Sequence, residues 1–240
     1  MGKPAETLEC YRKALVIGER ILALDPDSGT ARRDLREFHY WLGYEFREIG
    51  DTAQSLAQHQ KSQAITRDLL NSDETNIQER NSLADSQMET GKTLAQANRG
   101  TEAVISFEDA IRNYEQVQKA DAKDAHVRCQ IAYTKLFHAE TLAETGKTAK
   151  ALNIFNQTLA DFNELTAADP NNVEWRHFLG LNYQKIGKVF LKGGDRIKAA
   201  ENLRKSLPIF ESSVARSSSN IKRKQDLAAT QNLLADLNGN

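Results

Sequence analysis

Cysteine and proline are both scarce: 240 residues hold two of the first, Cys10 and Cys129, and four of the second. Two cysteines are too few for the disulfide framework of a small secreted fold, so the chain suits a reducing compartment without demanding one. The expected location is cytoplasmic; an extracytoplasmic one is the alternative if a parent protein has a transmembrane segment upstream. No apolar run approaches the ~20 residues that span a bilayer, and Met1-Gly2-Lys3-Pro4-Ala5-Glu6 has no signal-peptide core. No membrane partner is expected. A dominant charge sign is also missing, because 32 Lys+Arg stand against 33 Asp+Glu for a formal net charge of −1. That balance gives no global attraction to nucleic acid, and none is expected as a partner. With only 13 Gly and 27% charged residues, and a mean hydropathy of −0.60, the composition fits a helix-rich protein better than a turn-rich β sandwich.

What the sequence does contain is a period. Stepping by 48 residues aligns the chain without insertion or deletion into units 1–48, 49–96, 97–144, 145–192 and 193–240. Columns then appear: Leu8, Leu56, Val104, Leu152, Ala200; Tyr11, His59, Phe107, Phe155, Leu203; Leu15, Gln63, Ile111, Leu159, Leu207; Ile21, Leu69, Val117, Leu165, Ser213; and Leu35, Leu83, Ile131, Leu179, Leu227. Positions 8, 11 and 15 are three and four apart, which puts them on one helix face. Each unit divides in two at turns such as Asp25-Pro26-Asp27-Ser28 and Asp169-Pro170-Asn171-Asn172. The column Ser28, Asn76, Asp124, Asn172, Asn220 consists of N-cap residues. A second helix of about 20 residues follows each cap and ends at the column Gly50, Asn98, Gly146, Gly194, where a left-handed backbone is tolerated. The fold expected is therefore all-α, a right-handed α-solenoid of about ten antiparallel helices, each roughly 30 Å long, in one array over 1–240.

Chemistry-bearing motifs are few. Gly91-Lys92-Thr93 and Gly146-Lys147-Thr148 end like a phosphate-binding loop, but the glycine required five residues earlier is Ser86 or Thr141. His39, His59, His126, His138 and His177 contain no pair four apart on a helix, so no metal site is expected. Neither cysteine has a Cys-x-x-Cys partner. Lys222-Arg223-Lys224, after Ser217-Ser218-Ser219, is too short a basic cluster to argue for nucleic acid. No acid–base constellation emerges, so neither an enzyme nor a cofactor is expected. The columns also hold neither the base-contacting code nor the basic groove of an RNA-reading repeat.

One further pair of columns recurs. Asp25, Asp73, Asp121 and Asp169 stand seven residues before Arg32, Arg80, Arg128 and Arg176. An arginine fork can hold a carboxylate or turn carbonyls, so a structural ladder along the turns is expected; the rival is a stripe that binds a phosphorylated or acidic partner. His59, Gln63 and Thr90 at core columns, and Pro208 interrupting its helix, predict local opening near 50–75 and after 208.

Leu42-Gly43, Phe46, Gly50, Leu56, His59 and Ser62, and again Ile186-Gly187, Phe190, Gly194, Ala199, Leu203 and Ser206, resemble the tetratricopeptide repeat. The units are longer than the family's usual ~34 residues. The phrasing Arg32-Arg33-Asp34-Leu35, Leu-Gly, Gly-Asp and Tyr11-Arg12-Lys13-Ala14-Leu15 is similar to arrays C-terminal to the catalytic domain of some bacterial eukaryotic-type serine/threonine kinases. The first resemblance implies a non-catalytic scaffold that binds a peptide or protein in a concave groove. Its groove positions, carried over, are Glu37, Tyr40, Tyr44, Arg47, Asp85, Met88, Lys92, Tyr133, Leu136, Glu140, Leu181, Gln184 and Lys188. The second implies a regulatory segment of a kinase whose catalytic domain lies outside this chain. In this phase Leu8, Tyr11, Leu15, Leu227, Leu233, Leu234 and Leu237 are not cap-like ends. A piece of a longer protein, or end-to-end self-association, is the expectation.

Overall fold

The computed structural model describes residues 4–217 and 219–238. Met1-Gly2-Lys3 and Ser218 of the serine turn lie outside the described residues. Among those described there are ten helices and no strand: α1 Pro4–Leu24, α2 Gly29–Glu48, α3 Thr52–Ser72, α4 Ile77–Gln96, α5 Gly100–Gln118, α6 Ala125–Glu144, α7 Thr148–Ala168, α8 Val173–Lys192, α9 Arg196–Arg216 and α10 Ile221–Asn238. The chain forms two compact units, Met1–Lys123 with α1 to α5 and Asp124–Asn240 with α6 to α10. The boundary falls in a turn within the third 48-residue repeat.

The turns behave as their residues require. Ser28, Asn76, Asp124 and Asn172 each accept a hydrogen bond from a first-turn amide of the helix they precede, and Asn220 accepts from the Arg223 amide. At the opposite ends, Gly50, Gly146 and Gly194 have φ of 86°, 85° and 83°, and Asn98 has φ of 58°. These are the left-handed positions that turn each even-numbered helix into the next odd-numbered one.

In the first unit each helix packs on the next in sequence, and α2 also touches α4; in the second the same holds, and α8 touches both α6 and α10. Even-numbered helices therefore form an inner layer within each unit, with odd-numbered helices behind them. The aromatic column closes that contact, since His59, Phe107, Phe155 and Leu203 are all fully buried. Burial of each such Phe contributes about 1.5–3 kcal/mol. Between α3 and α4 the seam is instead polar. Gln63 donates to Thr90 Oγ1 at 2.8 Å and to the Ser86 carbonyl, it accepts from Arg67, and Ser55 pairs with Thr93 at 2.9 Å. Pro208 does not interrupt its helix: α9 runs through it. The lost amide bond is offset by Leu203, Ser206, Phe210 and Ser213, all buried on either side of the proline.

Candidate partner-binding surface

In the first unit the surface lies where α2 meets α4. A cavity of about 170 Å³ is lined by Arg36, Glu37, Tyr40, Trp41, Ser62, Ser82 and Asp85. Residues 36, 37, 40 and 41 share one face of α2 and form one side, Ser82 and Asp85 of α4 form the other, and Ser62 of α3 completes the lining. Trp41 stands edge-on to Tyr40, with centroids 5.1 Å apart, and to Tyr44 at 5.9 Å, and it stays 41% exposed. Below this aromatic cluster the ions are already satisfied within the protein. Glu79, 2% exposed, accepts from Arg33 at 2.7 Å and pairs with Arg36, whose other side meets Glu37 at 2.6 Å. Glu89, also buried, bridges Arg47 at 3.0 Å and Lys92 at 2.8 Å. Burial opposes the charge of Glu89, but Lys92 and Arg47 outweigh it and hold its pKa below the usual value. Burial likewise works against Arg47, and Glu89 and Glu48 raise its pKa regardless. Tyr40 is pushed the other way: burial first, then the carboxylates of Glu89, Asp85 and Glu37, raise its phenol far above the ordinary value.

In the second unit the same face brings together α6, α8 and α10. Lys185 pairs with Glu140 and lies 4.7 Å from the Phe137 ring centroid, while Tyr133 stacks between Phe137 and Phe178 at 4.9 and 4.4 Å. His177 Nε2 is 3.1 Å from Asp226, and Gln184 donates to Thr230 Oγ1 at 2.8 Å and to the Asp226 carbonyl. Lys188 is exposed as a residue, yet partial burial followed by repulsion from Lys185 lowers its pKa.

The structure thus separates the thirteen groove positions. Glu37, Tyr40, Tyr44, Arg47, Asp85, Lys92, Tyr133, Glu140, Leu181 and Lys188 keep open surface. Met88, Leu136 and Gln184 do not, at 8%, 0% and 2% exposure. They share their column with Tyr40, which is only part-exposed, so that column packs largely within the inner layer and, among the groove positions, opens to solvent only on α2. The residues missed are Trp41 and Phe137 on the open face, and Arg36, Glu79, Glu89 and Lys185 beneath it. Four of these share one column, which reads Trp41, Glu89, Phe137, Lys185, Leu233. No residue type recurs there, so periodicity carried no signal for it.

The Asp and Arg columns sit at the turns but are not joined to one another by the bonds they make. Arg32, Arg80 and Arg176 donate to the carbonyls of Pro26, Glu74 and Pro170, six residues back, and Arg128 pairs with Glu164 on α7 at 2.6 Å. Asp73, Asp121 and Asp169 each accept from the amide two residues on. In a turn this tight the short aspartate reaches its own backbone before it reaches the arginine. Gly91 lies inside α4 against the Phe107 ring, not in a loop. Cys129 is buried, and burial followed by Glu174 pushes its thiol up to about 12; Cys10 is exposed. Among the described residues no three His, Cys, Asp or Glu gather as a metal site would need, and no helix is long and apolar enough to cross a membrane.

No family model matches the sequence, and no curated protein does. Solved structures do match. BtubC from P. vanneervenii shares 13% identity over 100% of this chain and 94% of its own, with a TM-score of 0.61. The apo form of RapI shares 15% over 98% and 78%, with a TM-score of 0.64. A thermophilic tetratricopeptide-repeat protein of Thermus thermophilus shares 14% over 95% and 93%, with a TM-score of 0.50. At these identities the likeness is one of fold: a helix–turn–helix repeat array of the tetratricopeptide type.

Proposed function

We propose that this chain is a non-catalytic protein-interaction scaffold that holds a peptide or protein partner on the open face of its even-numbered helices. The observation that carries the reading is the cavity between α2 and α4, walled by Tyr40 and Trp41 and floored by charges that already have partners. An aromatic wall over a polar floor is what a partner's anchoring side chain requires. Because Arg36 is neutralised by Glu79 and Glu37, covering it leaves no unpaired ion behind. The test is a peptide-display selection on the purified chain, counter-selected on a Trp41→Ala, Tyr44→Ala double variant. Sequences that bind the parent and not the variant, at unchanged melting temperature, support the reading. Enrichment that ignores both substitutions defeats it.

The wording around Arg32-Arg33-Asp34-Leu35 favours a second reading, a regulatory segment of a bacterial eukaryotic-type serine/threonine kinase. A glycine-rich loop and a His-Arg-Asp catalytic loop in the upstream reading frame are its test.

A further inference from the structure

Each even-numbered helix offers a small residue to the odd-numbered helix that follows. Gly43 lies against His59, Gly91 against Phe107 and Gly187 against Leu203, and a Cβ at any of the three would stand 2.7–2.8 Å from that side chain. In the same columns Ala139 and Phe155 are both fully buried, so alanine is admitted there too. Along α3, α5, α7 and α9 the columns of Ser55, His59, Ser62 and Leu69 are closed throughout, none of their members exceeding 9% exposure. The same columns on α1 hold Thr7, Tyr11, Ala14 and Ile21. There the stripe is open: the first three are half-buried and Ile21 is 48% exposed. On α10, Ala235 occupies the column of Gly43, Gly91 and Gly187, and it is exposed. Among the described residues α1 has α2 as its helical neighbour, while α10 has α8 and α9. Tyr11 packs with Leu15 against Leu8, Leu42 and Phe46 but has no small residue opposite its outer side, and Ala235 is a small residue with no aromatic against it.

We propose that a second copy of this chain covers the α1 stripe with its α10, seating Tyr11 over Ala235 as His59 sits over Gly43. The two halves of this contact are different patches, so each added copy leaves one of each open and association continues with concentration. None of its residues belongs to the partner-binding surface, and the inference goes beyond that reading. One feature opposes the contact. Arg128 on α6 pairs with Glu164 on α7, and the same two columns place Lys224 of one copy opposite Arg20 of the next. Removing that repulsion should tighten the assembly.

Sedimentation equilibrium of the full 240-residue chain tests this, over roughly 5 to 500 µM. The weight-average mass should climb with concentration from the 26.9 kDa of one chain. Ile21→Glu and Ala235→Arg, both at exposed positions, should each weaken association at least about tenfold at unchanged helicity and melting. Mixed one to one, the two variants each contribute an intact end, so the mixture should stop at two chains. Arg20→Glu should strengthen association several-fold. A parent chain that stays monomeric throughout overturns the proposal and assigns the stripe to something other than a second copy. So does association that survives both variants, or a mixture that stays monomeric. A monomer that still selects peptides through Trp41 and Tyr44 would overturn this assembly alone and leave the partner-binding reading intact.

Discussion

Replacing His59 by phenylalanine should stabilise the protein. His59 is fully buried in a column where Phe107 and Phe155 are equally buried. Neither of its ring nitrogens has a hydrogen-bond partner, although a neutral imidazole carries one donor and one acceptor. Each unmet group costs about 1–3 kcal/mol. The cradle already fits a larger ring, because Gly91 accepts Phe107 at the same 2.7 Å approach by which Gly43 accepts His59. A net gain of about 2 kcal/mol is expected, or a rise in melting temperature of about 4–8 °C at ~2–4 °C per kcal/mol. Since helical arrays respond unit by unit, amide exchange in α3 should slow as well. Acidity sharpens the test. Burial lowers the His59 pKa from 6.5 to about 4, with Glu89 opposing and Arg47 and Lys92 assisting. The fold favours the neutral ring, so its stabilising contribution is complete above pH 6.5 and lost as pH falls toward 4. The gap between variant and parent should therefore widen by about 3 kcal/mol across that window. His39 titrates in the same sense but is common to both proteins. A His59→Phe protein that melts lower at pH 7, or that tracks the parent through the acid limb, would refute the reasoning.

Two further outcomes separate buried from exposed chemistry. Glu79→Ala leaves the buried Arg36 without its buried carboxylate and should cost about 3–5 kcal/mol, whereas Arg128→Ala breaks an exposed pair and should cost at most ~1 kcal/mol with partner binding unchanged; equal losses in chemical denaturation would show that burial is not the determinant. With a thiol reagent at pH 8, Cys10 should react in the native protein and Cys129 only after unfolding, since burial and then Glu174 hold the Cys129 thiol near 12; comparable native rates would contradict the placement.

The helices and their ends were readable because each depends on a local residue type that recurs. The N-cap column and the Gly50, Asn98, Gly146, Gly194 column are such cases, where the side chain or its absence meets its own backbone. The partner-binding surface was readable only in part. Tyr40, Tyr44 and Tyr133 follow from the resemblance to the tetratricopeptide repeat, but whether a given position ends in solvent or against a neighbouring helix depends on the angle between even-numbered helices. No single repeat encodes that angle, so Met88, Leu136 and Gln184 are closed over although Tyr40 in the same column stays part-exposed. Trp41 was missed because its column repeats no residue type, and Lys185 because Glu140, 45 residues away on α6, sets its role. Asp73 and Arg80 show the same limit at short range: spacing named both members of a turn, and competition with the backbone decided what each one bonded.

The bonds that join even-numbered helices to one another include Arg33 and Arg36 to Glu79, Arg47 to Glu89, Lys185 to Glu140, and Gln184 to Thr230. Apolar contacts between helices impose no direction of their own, whereas a charge-assisted hydrogen bond is short and directional. The distance from α2 to α4, and from α6 to α8, is therefore held by stiff polar links beneath a softer aromatic rim. Under the proposed function, the outer rings reorient for different partners while this gauge stays constant, and selection rests on the spacing of a partner's anchors more than on their identity.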